Sequence, residues 1–325
     1  MKKRIYTSVL FLVLLLGLLT GLSWIFLPKN NTYEAGMQLL ESYNSGYLAE
    51  PENAYDLLAL GDSLTANAMI PPELWQNYGI CSYELCGPNQ ALTKALYYLN
   101  RFTQKQHPKV VLLEAYELYQ PITQELVLED LGSPILPIFK YHDNWKRPQS
   151  LDPFSLPSYT KHTIFQGFYA AFAQESCEPV NYMVRDKVLE EVSPACMYYL
   201  REIYRRCQEE NIQLILFSIP SQYSWDWGRH LGAQAAADAL GIPYLDLNVE
   251  LPTIDWTTDS TDGGNHLNYL GGTKVTAYMG NYIYKTGLLP DHRNDPAYTG
   301  WNDIAEALNQ WVETEVTPVL AQSAP

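Results

Sequence analysis

The stretch Tyr55–Trp75, YDLLALGDSLTANAMIPPELW, runs apolar to Leu60 and then breaks at Gly61-Asp62-Ser63 before helix-forming residues begin. A hydroxyl at that break stands where a buried strand would end and a helix start, a place from which a serine can present its oxygen to a substrate. The plainer alternative is a turn in which Asp62 or Ser63 caps the helix. As a nucleophile Ser63 needs a base. Its hydroxyl attacks an ester carbonyl at neutral pH only if a neutral imidazole takes the proton and later returns it to the leaving group. The chain's six histidines are scattered, there is no His-x-x-x-His pair, and no Gly-rich phosphate loop follows the first apolar run. Neither a metal nor a cofactor is therefore expected.

Five short runs rich in Leu, Val and Ile would position such a serine: the one ending at Gly61, then Ile80–Cys86, Lys109–Tyr116, Ile212–Pro220 and Ile242–Asn248. They alternate too little for a sheet wetted on one face and suit strands covered on both. Helical patterns lie between them, after Asn89, after Ser193-Pro194 (an N-cap with proline in the first turn) and before Gly241, a stop signal. Strand and helix in alternation predict a flavodoxin-like three-layer α/β/α fold with a mainly parallel sheet of about five strands. Residues 121–186, rich in proline and aromatics, read as a partly helical insertion over the sheet's carboxyl edge, where open α/β sheets bind ligands. Tyr223, Trp225 and Trp227, after the fourth run, would line a sugar cleft or join the core. The tail from Asp295 reads as a last amphipathic helix.

Ahead of this pattern, Lys2, Lys3 and Arg4 precede an uncharged run from Ile5 to Leu27. As a helix it is long enough to cross a hydrocarbon core of about 30 Å. It lacks the small-x-small cleavage site of a signal peptide, so residues 1–29 read as an uncleaved transmembrane anchor with a cytoplasmic tip. The basic cluster stays inside, residues 30–54 form a polar stalk with a short helix around Ala35–Tyr43, and the domain of residues 55–325 is extracellular. Beyond residue 30 the chain holds seventeen Lys/Arg against thirty-six Asp/Glu. A net charge near −19 is repelled by phosphates, which excludes nucleic acid as a partner. The five cysteines, Cys81, Cys86, Cys177, Cys196 and Cys207, are too few and odd in number for a disulfide scaffold and read as small buried hydrophobes.

A strand followed by Gly61-Asp62-Ser63-Leu64 resembles the first block of the SGNH (GDSL-type) hydrolases, and the resemblance extends over roughly Tyr55–Gly287. It implies that Ser63 is the nucleophile and that a histidine far downstream, just before a late helix, is its base. His107 precedes Pro108, His142 and His162 lie in the insertion, His230 lies inside a helix and His292 in a late loop. His266, in DSTDGGNHLNYLGG, meets the requirement. The family's acid stands three residues before the histidine, but here that position is Gly263. Asp262, one residue further back, takes the role if the Gly263-Gly264 pair absorbs the extra residue, and Asp259 is the reserve. The resemblance also implies an oxyanion hole from the Ser63 backbone N–H with Gly87 or Asn89, although Asn89 as N-cap of the next helix is an equal alternative. The family's Gly-x-Asn-Asp block is missing, and Glu114 or Tyr116 occupies its neighbourhood.

Loss of that block beside an uncleaved anchor resembles the divergent SGNH branch of teichoic-acid D-alanylation and polysaccharide O-acetylation proteins. That resemblance implies an esterase or O-acyltransferase acting on an acylated cell-surface polymer or a small acyl ester, beside a membrane-bound O-acyltransferase. The competing expectation is an inactive scaffold or polysaccharide-binding module of the cell envelope.

Overall fold

In the computed structural model, which describes residues 2–319, all five apolar runs become strands of one parallel sheet. The elements in chain order are helix α1 (Lys2–Phe26), α2 (Leu39–Asn44), strand β1 (Leu57–Gly61), α3 (Ser63–Ala68), α4 (Pro71–Tyr78), β2 (Ser82–Cys86), α5 (Leu92–Phe102), β3 (Val110–Glu114), α6 (Gln124–Val127), α7 (Ile138–Tyr141), α8 (Pro194–Glu209), β4 (Gln213–Ser218), α9 (Trp227–Leu240), β5 (Tyr244–Asp246), α10 (Leu247–Glu250), α11 (Tyr269–Thr286) and α12 (Gly300–Trp311), with short 3-10 and π turns between some of them.

The strand order β2-β1-β3-β4-β5 is the doubly wound, flavodoxin-like one, with all neighbours parallel. β1, β2 and β3 are buried along their whole length, which is why they show no alternation. One face, with Leu57, Ala59, Val110, Leu112, Ile215 and Phe217, packs in a core with Val275, Met279 and Ile283 of α11. Each such large side chain contributes about 1.5–3 kcal/mol by leaving water. Because the chain leaves β1 to one side for β2 and returns to the other for β3, the crevice beyond their carboxyl ends is the sheet's switch point. Ser63 sits there, two residues past the end of β1.

The described residues form two compact units. One runs through Ala49 and resumes over Thr123–His162; the other holds Glu50–Ile122 and the chain from Thr163 onward, including the sheet. This differs from a free stalk over 30–54 and a single insertion over 121–186. The reason lies in buried polar pairs within the first unit. Glu41 accepts from the Tyr141 hydroxyl at 2.8 Å and lies 3.1 Å from Lys140 Nζ, while Asn31 donates to Lys161 O at 2.8 Å. The expected stalk helix is present, shifted to Leu39–Asn44.

The rest of the expected insertion belongs to the sheet-bearing unit and is mainly irregular. From Phe168 to Val180 it makes a strap of main-chain bonds: Tyr169 N to Ala66 O (2.8 Å), Tyr269 N to Ala171 O (2.8 Å), Glu175 N to Ser260 O (3.0 Å) and Cys177 N to Trp256 O (3.1 Å). The five cysteines are free, four of them buried and Cys177 partly so.

Candidate active site

Asp62, Ser63 and the turn between β1 and α3 come first. Asp62 is buried and caps α3, accepting from Leu64 N at 2.8 Å, which is the plain role foreseen for it. Ser63 is the first residue of α3, so its N–H precedes the helix's own hydrogen-bond ladder. Asn67, one turn on, donates to Ser63 O at 2.8 Å and holds that first turn. Gly61 is required by close approach. A Cβ there would lie 2.1 Å from Thr65 Oγ1 and 3.0 Å from Glu114 Cβ.

Two hundred residues later the chain returns to this point. His266 Nε2 lies 2.8 Å from Ser63 Oγ, and His266 Nδ1 lies 2.5 Å from Asp262 Oδ2. The other Asp262 oxygen accepts from the main-chain N–H of His266 at 2.7 Å and of Asn265 at 3.2 Å, so one carboxylate holds both the ring and its backbone. Gly263 (φ +76°) and Gly264 (φ +110°) take left-handed backbone to close this four-residue loop. Asn268 fixes the loop's exit. It caps α11 by accepting from Leu270 N and Gly271 N, and it donates to Thr258 O and Ser260 O.

Asp259, the reserve acid, points elsewhere. It is buried and held by Lys274 Nζ (2.5 Å), Asp255 N (2.7 Å) and Thr258 Oγ1 (3.0 Å), which makes it a strut of the loop. Two other histidines of this unit are engaged elsewhere. His230 pairs with buried Asp246 at 2.6 Å and His292 with Asp56 at 2.7 Å. His266 is 20% exposed and Asp262 39%, so the pair is open to water.

Of the two further oxyanion candidates, Gly87 donates its N–H to Gly61 O at 3.3 Å. That bond joins the ends of β1 and β2. Asn89 is exposed with φ +48°, and the residue before α5 is Ala91, so Asn89 is not the helix cap either. Glu114, in place of the absent Gly-x-Asn-Asp block, is fully buried and accepts from Tyr116 N at 2.8 Å. Burial, with Asp62 and Glu117 nearby, raises its pKa far above the carboxylate range. Its protonated, neutral form is favoured over the carboxylate. Burial likewise raises Asp62 to about 6 and pushes Glu84 and Glu117 well up.

Sequence reasoning missed Asn265. Its Nδ2 lies 3.2 Å from His266 Nδ1, and its Oδ1 accepts from the hydroxyls of Ser221 (3.0 Å) and Ser224 (2.7 Å), tying the histidine loop to the turn after β4. Its place next to His266 was the only signal in the sequence. Trp225 is core, its indole N–H donating to Asp246 Oδ2 at 3.1 Å, whereas Tyr223 is exposed. Among the described residues no group of three or more His, Cys, Asp and Glu has the geometry to hold a metal ion.

No protein-family description and no curated protein sequence matches the chain. Solved structures are similar to it. A lipase/acylhydrolase from Enterococcus faecalis is 13% identical, covering 71% of this chain and 97% of its own, with a TM-score of 0.39. A GDSL-like lipase from Bacteroides thetaiotaomicron is 12% identical over 78% of this chain and 99% of its own, also at 0.39. A family 3 carbohydrate esterase from Clostridium thermocellum is 11% identical over 74% of this chain and 100% of its own, at 0.37.

Proposed function

We propose that the sheet-bearing unit is a serine acyl-ester hydrolase or O-acyltransferase of the SGNH type, tethered to the outer face of a cell membrane by α1. The observation that carries this reading is the unbroken line Ser63 Oγ, His266 Nε2, His266 Nδ1, Asp262 Oδ2, with gaps of 2.8 and 2.5 Å. Hydrogen-bond reach between nucleophile and base, with a third group orienting the base, is the geometry that acyl transfer needs.

In the first half-reaction the Ser63 hydroxyl proton passes to His266 Nε2 as Oγ bonds to the ester carbonyl carbon. Asp262 accepts from Nδ1–H and stabilises the imidazolium. The oxyanion is met by the Ser63 N–H and the Asn89 side chain; a donor of this kind contributes roughly 3 kcal/mol. Collapse expels the alcohol, which takes the proton from Nε2 and leaves an acyl-Ser63 ester. In the second half an incoming water or sugar hydroxyl gives its proton to His266, attacks the acyl carbon, and Ser63 recovers its hydrogen. The substrate class is an acyl ester of a cell-surface polymer, with a membrane-bound O-acyltransferase as a candidate partner. The open, solvent-exposed His266–Asp262 pair suits a bulky polymer better than a closed pocket would.

A fluorophosphonate probe should label the chain at Ser63 and not label Ser63→Ala. With p-nitrophenyl acetate and candidate acceptor sugars, acyl transfer in excess of hydrolysis identifies a transferase. Absence of both labelling and turnover in the folded chain would favour an inactive scaffold.

A further inference from the structure

The helix α1 is 25 residues long, and only 6% of its most apolar window is buried. Its last turn is nevertheless covered, and the covering segments all come from Ile138–Pro153 of the same unit. Ile138 N donates to Ser23 Oγ (3.2 Å), Asn144 Nδ2 to Phe26 O (3.0 Å), and Trp24 Nε1 to Pro153 O (2.9 Å). Lys29 folds back over this end, its ammonium 3.5 Å from the Trp24 ring centroid and donating to Trp24 O at 2.8 Å. A hydrocarbon core of about 30 Å takes up about twenty helical residues. Counted from Ile5, where the charges end, these bring the chain to Trp24, so the collar sits at the level where a spanning α1 leaves the lipid.

The segment that makes this collar, with its flanks, exposes large apolar side chains: Phe154 is 94% exposed, Ile135 80%, Leu156 76% and Trp145 62%. Charge is distributed accordingly. The unit holding α1 carries eight Lys/Arg against seven Asp/Glu, leaving thirteen against twenty-nine for the sheet-bearing unit. Three of those eight, Lys2, Lys3 and Arg4, lie at the cytoplasmic tip, so outside the membrane the first unit carries five against seven and meets an anionic leaflet with far less repulsion than the sheet-bearing unit does. From this continuity with α1 we infer that Ile135, Trp145, Phe154 and Leu156 form a foot that inserts into the outer lipid–water interface. Its ligand is the phospholipid headgroup and upper acyl-chain region. Apolar and Trp side chains favour that depth, and they hold a short, irregular segment in the plane of the membrane. The inference rests on reading α1 as a span and is independent of the catalytic reading.

The test places nitroxide labels singly in the full chain at Leu12→Cys, Trp145→Cys, Phe154→Cys and Tyr198→Cys, in a Cys177→Ser background that leaves only the buried cysteines. Circular dichroism matching the parent marks each variant as folded. In phosphatidylcholine–phosphatidylglycerol vesicles, collision with oxygen relative to a water-soluble nickel chelate reads depth. The expected result is a ratio at positions 145 and 154 several-fold above that at 198 and below that at 12. Ratios equal to that at 198 overturn the foot while leaving the anchor intact. Labels shielded from both reagents also overturn it, in favour of a protein-covered surface. A water-like ratio at position 12 removes the anchor and the foot together.

Discussion

At the residue scale, the two aspartates near His266 are held differently, Asp262 against the imidazole and Asp259 against Lys274, and the proposed function gives them opposite roles. Asp262→Asn keeps the shape but removes the charge that orients and stabilises the imidazolium. Turnover of p-nitrophenyl acetate should fall by roughly 10²–10⁴ with little change in melting temperature. Asp259→Asn should do the reverse, because the lost charge is a buried partner of Lys274; stability drops by about 1–3 kcal/mol while kcat/KM in the surviving fold stays within a few-fold. Steady-state kinetics beside thermal unfolding checks both. Ser63 and His266 were legible because each stands at an element boundary, and boundaries announce themselves through Gly, Asp and the end of an apolar run. The choice of Asp262 over Asp259 was open in the sequence, since it turns on where two left-handed glycines send the chain. Asn265, and the bond from the Gly87 N–H to Gly61 O, were invisible because they depend on distances between segments far apart in sequence.

At the element scale, β1, its glycine and α3 act as one part. Gly61→Ala would set a methyl against Thr65 and Glu114, one of them in the helix that carries Ser63 and the other at the end of β3. Backbone must shift to relieve a contact of this kind, so the variant should lose about 1–3 kcal/mol of stability and most of its Ser63 labelling, whereas Gly300→Ala, in open space, should be neutral. Tryptic digestion and probe labelling distinguish the outcomes. All five strands could be read from sequence because burial on both faces leaves continuous Leu, Val and Ile. The strap over Phe168–Val180 could not. Its bonds are main-chain N–H and C=O groups, which every sequence possesses, and only tertiary proximity selects Ala66, Ser260 and Trp256 as partners. For the same reason the polar stretch 30–54 read as a stalk, although Glu41 and Asn31 bury themselves against Tyr141, Lys140 and Lys161.

At the scale of the whole molecule, the buried acids behind the nucleophile set how stability responds to pH. Burial raises Asp62 to about 6 and Glu73 to about 7 and pushes Glu84, Glu114 and Glu117 well above the ordinary carboxylate value. An acid raised in this way binds its proton more tightly folded than unfolded. Its contribution is complete below the unfolded value near 4 and fades as pH climbs through the folded one. The sheet-bearing unit should therefore melt higher at pH 5 than at pH 8, by roughly 2–4 °C for each kcal/mol lost. Glu84→Gln, neutral at every pH, should flatten that slope; scanning calorimetry from pH 5 to 8 measures it.

Under the proposed function, the excess of acids on the sheet-bearing unit bears on which acylated polymer it would accept. Like charges keep an anionic chain at a distance through an aqueous field that fades over about 10 Å at 0.1 M salt. Raising ionic strength should quicken turnover of a phosphate-bearing polymer and leave that of a neutral acylated sugar nearly flat, so a salt titration of kcat/KM would report the charge of the natural substrate before its identity is known.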